Sequence, residues 1–254
     1  MQKLLARLCA ATGKTALYYQ PLDGSGGMEY NADLPLLAAS VIKIPVMVEA
    51  FRRFECGELD PEAKHVLSDG ERMPSCGCLN RLHAGIELTM MDLVELMIIL
   101  SDNTATNILI DQLGIDSINA TLRSLGIANS TIRRKLFDAA GHAAGIENTV
   151  TARDMGLLLK LTHEGKLISE AASARMIDIL KAQRLNGKLP FFLKSRGVSV
   201  AHKTGEDDGI TNDVGIVYAR QPFVLCMLSN ETEVPVFERL MQDMALELCV
   251  RAGS

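Results

Sequence analysis

A serine and a lysine stand three positions apart in SVIKIPVMVEAF, residues 40–51, at the start of an apolar stretch with helical spacing. Positions i and i+3 of a helix lie on one face, about 5–6 Å apart between Cβ atoms, so the Lys43 amine can reach the Ser40 hydroxyl. Such a pair can serve as a nucleophile with its activating base. Serine is also a common N-cap, and chance alone supplies about one Ser-x-x-Lys in a chain this long. The pair by itself therefore leaves Ser40 as either a helix cap or a nucleophile.

Two triplets further along the chain carry polar side chains of the same kind. Ser-Asp-Asn at 101–103 lies between two predicted helices, and Lys-Thr-Gly at 203–205 opens a β-like run. Each triplet is expected by chance in only about one chain in twenty of this length. Taken singly, each is readily interpreted as an ordinary turn, but that interpretation is unsatisfactory for both triplets together, in this order after Ser-x-x-Lys.

Hydrophobic periodicity places these motifs on elements. Residues 2–12 predict a helix, and TALYYQPLDGSGGMEYNAD predicts two strands joined by a Gly-rich turn. A long helical stretch runs from about 40 to about 185, in which Thr89 is a predicted N-cap and Gly114 a predicted helix end. Three β-like runs, VSVAHKTG, DVGIVYAR and FVLCMLSN, and a closing amphipathic helix complete the chain.

This order of elements predicts an α+β fold, an α/β sandwich. The early pair and the late three strands can form one five-stranded antiparallel sheet, flanked by the N- and C-terminal helices. Residues 1–36 and 188–254 would form the sheet domain, and residues 37–187 an inserted all-α domain. Because ligand sites favour domain junctions, we expect the active site in the cleft between the two.

Composition excludes several classes of partner. The 254 residues carry a net charge of −5 with scattered lysines and arginines, which argues against nucleic acid. No run approaches the ~18 apolar residues of a membrane span. Arg7 interrupts the N-terminal apolar run, so we interpret it as an amphipathic helix rather than a signal peptide. We expect a cytoplasmic monomer, or a periplasmic or extracellular one if an export signal has been removed.

Six cysteines occur without the regular spacing of a disulfide framework, which favours reduced thiols. Cys76 and Cys78 form a close pair in the stretch SCGC, with His83 nearby. No second pair at zinc-site spacing follows. We therefore predict neither a metal site nor a cofactor.

The ordered set Ser-x-x-Lys, Ser-Asp-Asn and Lys-Thr-Gly resembles that of class A β-lactamases and penicillin-binding proteins. The resemblance runs over about residues 2–252, and the gaps agree as well, with 61 residues from Ser40 to Ser101 and 102 from Ser101 to Lys203. It implies a β-lactamase/transpeptidase-like fold. It also implies a serine hydrolase that opens the amide bond of β-lactams through an acyl-enzyme.

The resemblance implies roles in acylation at the matching positions. Ser40 would attack the carbonyl, with Lys43 accepting its proton or lowering its pKa. Ser101 would relay a proton to the leaving nitrogen, and Asp102 would brace the loop. The backbone N–H groups of Ser40 and Glu206 would form the oxyanion hole.

The resemblance also implies substrate-binding positions. Asn103 would hold the acyl-side amide of the substrate. Lys203 and Thr204 would bind the substrate carboxylate, with Gly205 beside them. The acids that follow in KTGEDDG are expected to point to solvent; an acid facing the cleft would weaken the attraction for an anionic substrate.

The chain departs from the family in the loop after the second motif. Class A β-lactamases carry a glutamate there, within Glu-x-x-Leu-Asn, which activates the deacylating water; that motif is absent from STIRRKLFDAAGHAAGIENTVTARD. Its place falls near Lys135 or Leu136. Asp138 is the nearest acid, either a substitute base or a solvated or helix-capping residue, and His142, Glu147 and Asn148 follow. We therefore expect slow deacylation.

Two alternatives remain open at this point. A D-Ala-D-Ala carboxypeptidase or amidase-like hydrolase with little β-lactamase activity would suit the missing glutamate. From another functional class, the fold would serve as a penicillin-binding module that is acylated once and stops, or as a sensor that binds a ligand without turnover. The presence of Ser40, Lys43, Ser101 and Lys203 argues against a protein without any catalytic step.

Overall fold

The computed structural model describes residues 1–253. The helices in this range are α1 (Gln2–Ala10), α2 (Lys43–Glu55), α3 (Met90–Ile99), α4 (Asn103–Leu113), α5 (Ile115–Ser124), α6 (Ala139–Ala143), α7 (Ala152–His163), α8 (Glu170–Lys181) and α9 (Val234–Arg251). The strands are β1 (Lys14–Pro21), β2 (Met28–Tyr30), β3 (Leu36–Leu37), β4 (Lys64–Val66), β5 (Glu87–Thr89), β6 (Thr149–Val150), β7 (Ser199–Asp207), β8 (Ile210–Tyr218) and β9 (Phe223–Asn230).

The two ends of the chain build one sheet. Its strands lie in the order β2-β1-β9-β8-β7, and all neighbours run antiparallel. The predicted five-stranded antiparallel sheet is confirmed. β7, which carries Lys203–Gly205 in its second half, is the edge strand, so one side of it is open to a ligand.

Both faces of the sheet are covered. α1 and α9 pack on one face, where Leu8 and Phe237 meet Leu17 and Leu225. α7 crosses the other face over β1, β8 and β9, while α8 packs against β7. β9 is accordingly buried along its whole length, and its sequence is continuously apolar from Phe223 to Leu228 instead of alternating.

The block between the sheet halves is mainly helical but contains short strands as well. β4 pairs with β5, and β3 pairs with β6. These strands have two or three residues, too few to give a period-2 pattern. Thr89 caps α3 by accepting from Asp92 N, and Gly114 ends α4 with φ 77°, both as predicted. The division at residues 37 and 187 stays a prediction.

α2 is the central helix of this block and is buried from Lys43 to Phe51. Its buried Glu49 carboxylate accepts hydrogen bonds from Arg52, Arg53 and, across to α5, from Thr121 Oγ1 at 2.6 Å. A buried carboxylate is tolerated only with partners of this kind, and these ones tie α2 to α5. The start of α2 is thereby held in place.

Among the helices of residues 1–253, none combines the length and the apolar composition that crossing a bilayer requires.

Candidate active site

Ser40 lies in a 3₁₀ turn, Ala39–Ile42, that leads directly into α2. The residue in the N-cap position of α2 is Ile42, so Ser40 is not a helix cap. Ala39 has φ 44°, a left-handed conformation that costs an alanine roughly 1–2 kcal/mol. This turn directs the Ser40 hydroxyl toward Lys43, whose Nζ lies 2.9 Å from Oγ.

Lys43 is fully buried, and its Nζ has four oxygen neighbours. Besides Ser40 Oγ, these are Ser101 O at 2.8 Å, Ser101 Oγ at 2.9 Å and Asn103 Oδ1 at 2.8 Å. The carbonyl oxygens of Ser101 and Asn103 can only accept, so they take two amine hydrogens. A neutral amine then has its lone pair free for a hydroxyl proton.

The surroundings of Lys43 favour that neutral form. Burial lowers the pKa of Lys43 well below its ordinary value, and the nearby charge of Lys203 lowers it further. Cys76 and Asp102 act in the opposite direction without reversing the shift. A neutral amine 2.9 Å from Ser40 Oγ can accept the serine proton during nucleophilic attack.

The Ser-Asp-Asn loop joins α3 to α4 and brings its two outer side chains to Lys43. Ser101 has φ 54°, so this loop, like the turn before Ser40, contains a left-handed non-glycine residue. Asp102 faces away from the lysine and accepts from the backbone N–H groups of Cys78, Leu79 and Ala105 at 2.7–3.0 Å. Its carboxylate thus braces the loop. Asn103 Nδ2 donates a hydrogen bond to Pro74 O, and this bond orients Asn103 Oδ1 toward Lys43.

Lys203 approaches Ser101 from β7. Its Nζ lies 3.0 Å from Ser101 Oγ and 2.9 Å from the carbonyl oxygen of Thr204, and its side chain is fully buried. Burial lowers the pKa of Lys203 to about 7, with Asp213 opposing the shift and Lys188 adding to it. Ser101 Oγ therefore lies between two lysine amines, an arrangement that can pass a proton.

Gly205 lets β7 approach the turn that carries Ser40. A Cβ at this position would lie 2.9 Å from Ala38 O and 3.1 Å from Val41 Cγ2, both tighter than ordinary van der Waals contact. The glycine of Lys-Thr-Gly is thus required by close packing. As a result Glu206, the next residue, lies at the same cavity as Ser40.

This cavity has a volume of about 430 Å³ and is bounded by the Ser40 turn, the Ser-Asp-Asn loop, β7 and the loop before α6. A larger cavity, of about 800 Å³, lies between α1 and α9 and contains no residue of the three motifs. The lining of the smaller cavity includes Ser40, Ser75, Cys76, Asn103, Arg134, Leu136, Phe137, Asp138, His142, Glu147, Glu206 and Asp207.

The loop before α6 contains the position at which the missing glutamate is expected. Leu136 lines the cavity, and its backbone N–H and C=O both bond the Asn107 side chain at 2.9 Å. Lys135 points away and pairs with Asp111. Asp138 is the N-cap of α6, its Oδ1 accepting from Gly141 N at 3.0 Å. A leucine that lines the cavity therefore occupies one of the two positions at which counting along the sequence placed the missing glutamate.

The other acids at the cavity also have partners. Glu147 pairs with Arg134 and His142, and Glu206 pairs with Lys188. Burial acts to raise the pKa of Glu147, but hydrogen bonds from Arg134 and His142 outweigh it and leave the pKa below its ordinary value. Such a carboxylate is a weaker base than a free one.

Sequence reasoning missed two residues at this site. Cys76 was considered only for metal binding, yet it lines the cavity beside Ser40. Lys188 belongs to no motif, and only the fold brings its amine under β7. Within residues 1–253 no three His, Cys, Asp or Glu side chains are grouped so as to hold a metal ion.

The chain is similar to known proteins over almost its whole length. Residues 1–252 match the model of the beta-lactamase enzyme family. Beta-lactamase 3 of Bacillus cereus is 23% identical over 223 residues, which cover 85% of this chain and 69% of the relative.

Solved structures superimpose over almost the whole length. A beta-lactamase from Sphaerobacter thermophilus DSM 20745 gives a TM-score of 0.90 at 29% identity, over 99% of this chain and 97% of that one. The structure of PBP-A gives 0.89 at 27% identity, over 98% and 94%. A leucine-to-glutamate mutant of PBP-A, in an acyl-enzyme complex with penicillin G, gives 0.87 at 26% identity, again over 98% and 94%. The protein thus belongs to the beta-lactamase enzyme family and is a serine β-lactam hydrolase.

Proposed function

We propose that Ser40 is the nucleophile of this hydrolase and that its acyl-enzyme accumulates because deacylation is slow. The observation that carries the first part is the contact of the buried, low-pKa Lys43 amine with Ser40 Oγ. The observation that carries the second is Leu136 at the cavity, where a deacylating glutamate is expected.

In the proposed acylation, neutral Lys43 takes the proton of Ser40 as Oγ attacks the β-lactam carbonyl. Backbone N–H groups of Ser40 and Glu206 stabilise the negative oxygen of the tetrahedral intermediate. The amide C–N bond then breaks, and the proton passes through Ser101 to the leaving nitrogen. The two short contacts of Ser101 Oγ with Lys43 and Lys203 support this relay.

Substrate binding is proposed for four residues on the two sides of Ser40. Asn103 would bind the acyl-side amide, and Gly205 lets the substrate lie along the edge of β7. Lys203 and Thr204 would bind the carboxylate; both lie on β7 and are buried in the free protein.

Deacylation requires a water activated by a base at the ester. The acids at the cavity are engaged elsewhere: Asp138 in a helix cap, Glu147 and Glu206 in ion pairs, and Asp207 in a bond from Asp208 N at 2.9 Å. Loss of a positioned general base typically costs 10²–10⁴ in rate. We propose that Lys43, once it is neutral again, performs this step inefficiently.

A pre-steady-state experiment tests the proposal. Hydrolysis of a chromogenic cephalosporin should show a burst equal to the enzyme concentration, followed by a slow linear phase, and intact mass should show the adduct. A linear trace without a burst, at a turnover above roughly 10² s⁻¹, would mean that deacylation is well catalysed and the proposal is wrong.

The Lys203 pKa gives a prediction for substrate recognition. Lys203 is charged below pH 7 and loses its charge as the pH rises through about 7. The acylation efficiency of a free-acid β-lactam should therefore fall above pH 7, by up to about tenfold per pH unit. The carboxylate ester of the same compound should react more slowly at pH 6 and lack this fall. Equal rates and equal pH profiles would remove the carboxylate role of Lys203 and Thr204.

Asp138→Asn separates helix capping from base catalysis. Asparagine caps a helix about as well as aspartate, so we expect an unchanged thermal midpoint and a deacylation rate within about twofold of wild type. A rate reduced tenfold or more, measured as a longer-lived adduct by intact mass, would identify Asp138 as the substitute base.

A peptidase is the second candidate, favoured by the likeness to PBP-A and by Leu136. It predicts release of D-Ala from an acyl-D-Ala-D-Ala peptide at a rate exceeding that of penicillin hydrolysis. A third reading, a sensor acylated once, predicts an adduct that does not decay within hours. The same intact-mass series, run with both substrates, distinguishes the three.

We also propose that the protein is a monomer. In the described part of the chain, the large exposed apolar side chains are spread over several segments, as Val66, Phe191 and Val250 illustrate, and the two on α9, Val236 and Val250, are 14 residues apart. Light scattering after size-exclusion chromatography should give the single-chain mass of 27.6 kDa.

A further inference from the structure

A lysine outside the three motifs is buried directly behind the strand that carries Lys-Thr-Gly. Lys188 is only 2% exposed. Its Nζ donates to Gly205 O at 3.1 Å and to Asn212 O at 3.3 Å, and it lies 3.1 Å from a carboxylate oxygen of Glu206. Gly205 and Asn212 face each other across β7 and β8, so the amine contacts both strands.

The carbonyl that Lys188 holds belongs to a peptide group with a second function. In a trans peptide the C=O of residue i and the N–H of residue i+1 are coplanar and point in opposite directions. Gly205 C=O shares its peptide plane with Glu206 N–H, the group proposed for the oxyanion hole. Fixing the carbonyl on one side of the strand therefore fixes the direction of that N–H on the other.

We propose that Lys188 is a positioning residue for the oxyanion hole, which orients the Gly205–Glu206 peptide and balances the Glu206 carboxylate at the cavity edge. The inference rests on the proposed role of the Glu206 N–H. Lys188 acts through that peptide and touches no reacting atom, so it is not a catalytic residue.

Backbone carbonyls and carboxylates around Lys188 stabilise its buried ammonium group. A buried ammonium needs acceptors and counter-charge, which two backbone carbonyls and Glu206 supply. Glu238 adds a second carboxylate at 3.8 Å, held in place by a hydrogen bond from Thr211 Oγ1 at 3.0 Å. The acid that directly follows Lys-Thr-Gly is thus neutralised from behind, which reduces its repulsion of an anionic substrate.

Lys188→Met tests the positioning role, with Lys194→Met as the matched control. Lys194 is exposed in the same segment and has no place in the site. A misdirected oxyanion donor should lower the acylation rate constant by roughly 10–10²-fold. The control should acylate like wild type.

A spectroscopic measurement distinguishes positioning from a general loss of stability. The infrared band of the ester carbonyl in the acyl-enzyme, formed with carbonyl-labelled penicillin G, should move to higher wavenumber in Lys188→Met, because its hydrogen bonds weaken. An unchanged band together with an unchanged acylation rate in a folded Lys188→Met protein would overturn the inference. Wild type is measured alongside, and absence of any wild-type adduct would instead contradict the proposed function.

Glu206→Gln tests the charge balance and does not depend on Lys188→Met folding, since the Glu206 side chain is 57% exposed. The backbone N–H is retained, so the carbonyl band should stay in place. With one negative charge removed, a free-acid β-lactam should acylate several-fold faster at low salt, and its ester should not. An equal effect on acid and ester, or no effect on either, would overturn the proposed pairing.

Discussion

Ser40→Ala is expected to abolish covalent labelling by penicillin while leaving the protein folded. The Ser40 oxygen is the atom that forms the ester, and alanine offers no substitute. The substitution removes one hydrogen bond, to Lys43, worth about 1 kcal/mol. Because Ser40 is not a helix cap, no further loss of stability is expected. The thermal midpoint should shift by only a few degrees.

The measurement is intact mass after incubation with fluorescent penicillin, with Ser195→Ala as control. Ser195 is exposed, belongs to none of the three motifs and does not line the cavity, so its variant should label like wild type. Labelling of Ser40→Ala at wild-type stoichiometry would contradict the assignment. Peptide mapping would then examine Ser101, which contacts the Lys43 amine, and Ser75 and Cys76, which line the cavity.

The contact between Ser40 and Lys43 could be predicted from local spacing. Ser40 and Lys43 are neighbours because three residues of helical backbone place them together, and this needs no long-range information. The sheet was also predictable, since β8 and β9 each carry an apolar run and follow each other closely, which favours antiparallel pairing. The short strands β4 and β6 were not, because two or three residues carry no periodicity.

Directions of side chains in irregular segments could not be predicted from the sequence. Counting along the sequence placed the missing glutamate near Lys135 or Leu136, but only the folded loop, whose Leu136 backbone exchanges two hydrogen bonds with the Asn107 side chain, shows that Leu136 lines the cavity. Asp138 caps α6 by accepting from Gly141 N, a contact that the sequence offered as one alternative but could not show, and its role as a base stays a prediction. Glu206 is exposed as expected, yet it also lines the cavity, and Lys188 behind it was not anticipated.

The same loop gives the second large expected effect. Leu136→Glu should accelerate deacylation by roughly 10²-fold, toward the lower end of what a positioned general base contributes. The new carboxylate would lie on a residue that lines the cavity and whose backbone Asn107 holds on both sides, so the loop need not rearrange to present it. Leu136 is only half-buried, which limits the cost of placing a charge there.

Two variants control this experiment. Leu136→Gln has nearly the same shape and polarity as the glutamate variant but no base, so its deacylation should stay close to wild type. Lys135→Glu places the acid one residue earlier, on a side chain that points toward Asp111 and solvent, and should also leave the rate unchanged.

The adduct's decay is followed by intact mass after excess penicillin is removed. If all three variants decay at the wild-type rate, the slow step is not limited by the absence of a carboxylate at Leu136. Opening of the loop, or the protonation state of Lys43 in the acyl-enzyme, would then have to set the lifetime. Raising the pH would separate these two causes, since a neutral Lys43 amine should speed decay and loop opening should not respond.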